Sequence, residues 1–170
     1  MVSKKSLVVV AVVVVVAAAG LWMLLGGIKP PVDVYARSTP AISESSIDLL
    51  PDSVAGCDCY YDVDISTSDF IGVQGFYRGD FEGEIYISIQ RCSSSDVASS
   101  TLDEVISQAM DLSGSTVSQQ TGEVHWFTYT GSMIGDDELS IFMWRKGIWI
   151  FSVWAPTETL RNQVVEDLSF

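Results

Sequence analysis

At 170 residues the chain has room for one ordinary domain plus a targeting or membrane segment, and a second globular domain is not expected. All 22 acidic residues lie at or beyond Asp33, where six basic residues accompany them, so this part of the chain carries a net charge of −16. Such a surface repels phosphate backbones and anionic lipid head groups, which speaks against nucleic acid as a partner and for solubility in a salty or cation-rich exterior.

The chain opens MVSKKSLVVVAVVVVVAAAGLWMLLGGIKPP, and nothing from Leu7 to Ile28 is charged. That run matches the roughly 20 residues that cross a hydrocarbon core as a helix. Lys4 and Lys5 put residues 1–6 in the cytoplasm by the positive-inside bias. The expectation is a single-pass signal anchor over 7–28 in the cell membrane, with everything after Lys29 extracytoplasmic. Ala17-Ala18-Ala19 before Gly20 offers a cleavable signal peptide as an alternative, although the apolar run continues through LWMLL. Lys4-Lys5-Ser6 ahead of an apolar helix also resembles an archaeal prepilin leader, which would imply a pilin-like surface subunit. The glutamate usual five residues into a mature pilin helix is here Ala11.

Residues 29–46, with three prolines and several serines, read as an extracytoplasmic tether, and the domain is expected over 47–170. Ile47, Leu49 and Leu50 are expected to plug an edge of the core before Pro51 turns the chain. Residues 70–78 and 83–91 alternate as paired strands, with Ile85, Ile87 and Ile89 on one face and Glu84, Tyr86, Ser88 and Gln90 on the other. STLDEVISQAMDLSG reads as an amphipathic helix with Thr101 and Glu104 as its capping box. A strand over about 123–130 follows, then two more around 141–144 and 148–151 that turn at Lys146-Gly147. Pro156 ends the sheet and opens a helix whose Leu160, Val164 and Leu168 share a face. The expected class is therefore α+β, order ββαβββα: a mainly antiparallel sheet of about five strands covered by two helices and preceded by one transmembrane helix.

The Lys-Gly hairpin, the strand ending FSVWAP and the closing helix that finishes on Asp167-Leu168-Ser169-Phe170 resemble the PsbP/DcrB-like superfamily over roughly 47–170. The opening IDLLPDSVAG sits where such domains have a Pro-then-Gly lead into the first strands. The resemblance implies an exported, often membrane-tethered accessory protein that stabilises a larger assembly, has no enzymatic activity, and closes with a Ser-Phe pair packed back on the sheet. No functional residues come with it.

The segment GCDCYYDVD, residues 56–64, concentrates the candidate chemistry. In an oxidising exterior, Cys92 at a strand end is expected to pair with Cys57 or Cys59, with the choice of partner open. Cys57, Cys59, Cys92 and His125 carry the donor types of a tetrahedral zinc site, though Cys-x-Cys is shorter than the usual knuckle. As a redox pair Cys57 and Cys59 lack a helix N-terminus to lower a thiol pKa. Asp58, Asp62, Asp64 and Asp69 could gather calcium, but from Asp62 the EF-hand pattern meets Thr67 in place of glycine and Val73 in place of glutamate. No nucleophile elbow, Walker or dinucleotide motif is present, so neither an enzyme nor a cofactor is expected.

The aromatics are dense in the last three strands. Trp126, Trp144, Trp149 and Trp154 either fill a large core or form an exposed patch that binds a protein partner. The function expected from the sequence is a membrane-anchored accessory or interaction subunit of a membrane or surface assembly. A solute- or metal-binding ectodomain is the alternative.

Overall fold

The computed structural model describes residues 29–132 and 138–170. Their strands are β1 (Ser53–Val54), β2 (Cys57–Asp64), β3 (Phe70–Arg78), β4 (Ile85–Cys92), β5 (Gly114–Thr121), β6 (Val124–Ser132), β7 (Glu138–Lys146) and β8 (Trp149–Ala155). Helix α1 (Ser95–Met110) lies between β4 and β5, and α2 (Glu158–Asp167) follows β8. All pairings are antiparallel and the sheet order is β1-β2-β3-β4-β8-β7-β6-β5. Two four-strand meanders thus meet at β4 and β8.

The expected five strands are corrected to eight, and the order to ββββαββββα. CDCYYDVD, not among the expected strands, is β2, and the polar stretch GSTVSQQT is edge strand β5. No helix among the described residues is long and apolar enough to cross a membrane, so the transmembrane element drops out of the described fold. The anchor expected over 7–28 lies outside the described residues.

The helices cover opposite faces, making three layers. On one face Val164 and Val165 of α2, with Leu168 and Phe170, pack against Ile85, Ile87 and Ile89 of β4 and the inner rows of β6 to β8. An aromatic column runs through this core: Phe142 to Trp144 at 5.3 Å, Trp144 to Phe151 at 5.0 Å, and Phe151 to the closing Phe170 at 4.7 Å. Each stacked pair adds about 1 kcal/mol to the area it buries. On the other face Ala98, Leu102, Ile106 and Ala109 of α1 cover Phe127, Tyr129, Ile141, Met143 and Ile150. Strands β6 to β8 are consequently apolar on both sides, as buried strands are.

Caps fix both helix starts. Ser94 accepts from the Val97 N–H at 3.2 Å and Thr157 from the Leu160 N–H at 3.2 Å. Ser94 replaces the expected Thr101 cap, because α1 starts two turns earlier and Thr101 sits in its middle. The β7–β8 turn needs a left-handed residue and finds Gly147, at φ 61°.

The expected tether is also corrected. Residues 32–46 lie as a strap across the sheet face that α2 leaves open. Val34 is fully buried and Val32 nearly so. Irregular backbone placed on a core must find hydrogen-bond partners, and side chains from the sheet supply them. The Trp149 indole donates to the Pro40 carbonyl at 3.1 Å, the Lys146 ammonium to the Tyr35 and Arg37 carbonyls, and the Arg91 guanidinium to those of Ile42 and Glu44. Arg37 in turn donates to the carbonyls of Val165, Leu168 and Phe170, a cation at the negative end of α2. The domain therefore begins near residue 30, and Ile47, expected inside, is exposed.

Candidate functional site

Helix α1 crosses the β5–β8 half of its face and reaches only the Cys92 end of β4, because Leu102, Ile106 and Ala109 follow the apolar rows of β6 and β7. The rest of the β2–β4 half has no covering element among the described residues. There the strand register aligns Tyr61 of β2, Phe76 of β3, Tyr86 of β4 and Trp154 of β8 as direct cross-strand neighbours. Tyr61 and Phe76 are 5.4 Å apart, and Phe76 meets Tyr86 edge-on at 5.2 Å. A register shift between Cys59 and Tyr61 adds Tyr60 to the end of this row. Tyr60 and Tyr61 are 51% and 56% exposed, which is uncommon for such large rings.

A groove of about 390 Å³ runs beside the row, between β3–β4 and α1. Tyr86 and Trp154 wall it, Val105 and Met143 close its α1 side, and Gln74, Ser88, Gln90 and Ser152 supply its polar atoms. None of its lining residues is charged, in a domain of net charge −16. The Ser88 and Ser152 hydroxyls are 2.5 Å apart and the Trp154 indole donates to Ser152 at 3.3 Å. The buried Gln90 Oε1 has no donor, so the groove holds an acceptor ready for a ligand N–H or O–H.

Glu84 braces one end of the row. Its carboxylate accepts from the Tyr60 hydroxyl at 2.7 Å, the Tyr86 hydroxyl at 3.1 Å and the Arg78 guanidinium, while Arg78 lies 4.9 Å over the Tyr60 ring. The Tyr60 hydrogen bond first, then that of Arg78, holds Glu84 below the usual carboxylate range. A carboxyl whose folded pKa is depressed stabilises the fold above its unfolded value, and the contribution is lost as pH falls through the folded one. Ring signals of Tyr60 and Tyr86 in NMR should accordingly hold constant from neutral pH and move together below the normal carboxylate pKa. Glu84→Gln should remove that transition; a transition that persists in the variant contradicts the brace.

The residues expected to carry chemistry are not brought together. Cys59 shares a row with Tyr77 and Ile85, whereas Cys92 lies seven residues further along β4, about 23 Å away at roughly 3.3 Å per residue. Cys92 also packs under α1, on the face opposite Cys57 and Cys59. A disulfide needs Cα atoms within about 7 Å, so the expected Cys92 bridge to Cys57 or Cys59 is replaced by three free thiols. Burial pushes the Cys92 thiol up to about 11 and raises that of Cys57, leaving half-buried Cys59 the accessible one. A thiol reagent should titrate one cysteine in the native protein and three after denaturation, with or without prior reduction. Fewer than three without reductant would restore the bridge.

His125 lies under α1, its Nδ1 3.5 Å from Asp103 without a hydrogen bond, and burial lowers its pKa. It is three strand spacings, about 14 Å, from β4 and Cys92. Among the described residues no group of three His, Cys, Asp or Glu side chains is placed to hold a metal, so the Cys57, Cys59, Cys92 and His125 set is dispersed. Asp62 and Asp64 line a cleft of about 310 Å³ on the strap side, where Asp64 accepts from the Ser66 N–H at 2.8 Å. Asp58 is on the other face, opposite Arg78.

Of the expected partner-binding tryptophans, Trp126, Trp144 and Trp149 are fully buried in the aromatic core and cannot meet a partner. Trp154 alone reaches the open face. Exposed Tyr60 and Tyr61 and half-buried Phe76 replace the other three as the aromatics of the open face. Their signal in the sequence was a Tyr-Tyr pair among polar residues, opposite a strand alternating around Phe76.

No family model, no curated protein and no solved structure matches the chain.

Proposed function

We propose that the domain is a non-enzymatic accessory module that binds a protein partner through the open half of its sheet. The observation that carries this reading is the uncovered cross-strand row Tyr61, Phe76, Tyr86 and Trp154. An aromatic row set beside an uncharged groove has the composition of an interface centre, with aromatics enriched and charges depleted. The partner's complementary surface is an apolar, uncharged segment that donates a hydrogen bond to Gln90, with basic residues around it to meet the domain's acidic surface. Five of the domain's cations, Arg37, Arg91, Arg145, Lys146 and Arg161, are committed to backbone carbonyls, and the exposed Arg78 is paired with Glu84. With only Arg78 and Lys29 exposed among the described basic residues, the outer surface is dominated by the acids.

The accessory role implied by the PsbP/DcrB-like resemblance points the same way, and the stacking of Phe170 on Phe151 supports that resemblance. A photo-crosslinking residue at position 76 of the full chain, expressed in its native cells, should trap one discrete protein. The same residue at exposed position 96 on α1 should not. Equal labelling from both positions, or none from 76, refutes the proposal.

A further inference from the structure

The two edges of the sheet differ. At one edge β1 is two residues long, and β2 behind it is bulged at Tyr60 and carries Asp58, Asp62 and Asp64. Those are the devices that keep a sheet edge from pairing with another chain. The other edge, β5, has none: eight residues, GSTVSQQT, in unbroken register with β6, without a charge, a proline or a bulge. Thr121 and Val124 flank the two-residue turn Gly122-Glu123, so they exchange both ladder bonds. By alternation the N–H and C=O groups of Thr116, Ser118 and Gln120 then point away from β6. No strand among the described residues accepts them.

We propose that this edge pairs with β5 of a second copy of the chain, antiparallel about a two-fold axis, to give one continuous sheet. Charge selects the occupant. Two domains of net charge −16 repel one another, and β5 is where identical backbones can meet with no charge on either strand. A basic partner strand, which the rest of the surface attracts, finds no carboxylate on 114–121 to hold it. The pairing is self-complementary in its side chains, with Ser118 facing Ser118 and Thr116 facing Gln120, all of them small or polar. Asp111 and Glu123 at the strand ends supply the residual repulsion, so the dimer tightens as salt shortens the Debye length from about 10 Å at 0.1 M to about 3 Å at 1 M.

The test uses the full chain and follows amide hydrogen exchange in β5 against protein concentration and salt, with mass from sedimentation. Protection of the Thr116, Ser118 and Gln120 N–H groups should rise roughly tenfold or more between dilute and concentrated samples, in step with dimer mass, and further at high salt. Ser118→Pro removes one outward donor and leaves the β6 ladder intact, so it should abolish both effects. Ser118→Lys, which sets two like charges face to face, gives the same reading if the proline variant does not fold. Three outcomes overturn the proposal: free exchange at every concentration, protection independent of concentration, or association that neither substitution weakens.

Discussion

Deleting residues 1–46 should unfold the domain, whereas a chain retaining residues 30–170 should keep its cooperative transition. The strap buries Val32 and Val34, and burial of an aliphatic side chain is worth about 1.5–3 kcal/mol, or about 3–6 kcal/mol for the pair. Its removal also strips the indole donors of Trp149 and Trp126 of the Pro40 and Tyr35 acceptors, about 1 kcal/mol each. It further opens the end of α2 that Arg37 closes. Against a total stability of about 5–15 kcal/mol for a domain, that is most of what holds the fold. Tryptophan emission and near-UV circular dichroism read the result directly: red-shifted emission and a lost near-UV signal are expected for the shorter chain. A native spectrum from residues 47–170 alone would show the strap to be a tether after all.

The second large effect is expected at Arg161. It is 1% exposed and joins α2 to β7 across the aromatic face. Its guanidinium donates to Ser140 Oγ at 2.8 Å, the Ile141 carbonyl at 3.3 Å, Glu158 at 3.0 Å and Asn162 at 2.8 Å. Arg161→Ala leaves a cavity and at least two buried acceptors without a donor, a cost of about 3 kcal/mol. For a domain of this size that lowers the melting temperature by roughly 6–12 °C. Arg161→Met refills the volume and should lose less than half as much. Urea unfolding of both variants checks the ordering. Equal losses would mean that the lost hydrogen bonds, and not the cavity, account for the whole effect.

What could be read ahead from the sequence follows from which strands bury a face. β3, β4 and β6 to β8 show their periodicity because helix or strap covers at least one side. β2 buries only Cys57 fully and β5 buries nothing fully, so their residues alternate between half-exposed environments and leave no apolar signal. The strap was illegible for another reason. KPPVDVYARSTPAISESS has the composition of a linker, and its partners Arg91, Lys146 and Trp149 lie 47 or more positions away. Periodicity placed Tyr86, Ser88 and Gln90 on one face correctly, but that this face stays open depends on where α1 crosses the sheet. The same crossing separates Cys92 from Cys57 and Cys59: strand alternation assigns each to a face only once the β2–β3–β4 register is known. Three of the four tryptophans proved to be core because β6 to β8 are covered on both sides, a possibility their near-continuous apolar character already contained.

The central claim is that function resides in the uncovered aromatic row, and the most direct measurement compares partner retention with folding in one variant. Phe76→Ser with Trp154→Ser removes two half-buried rings from the open face and leaves the aromatic core, the strap and both helices in place. In a gentle affinity purification of the full chain, the wild type should retain a stoichiometric protein partner. The double variant should lose it while its urea midpoint moves little. A partner retained in full by a folded double variant would contradict the account.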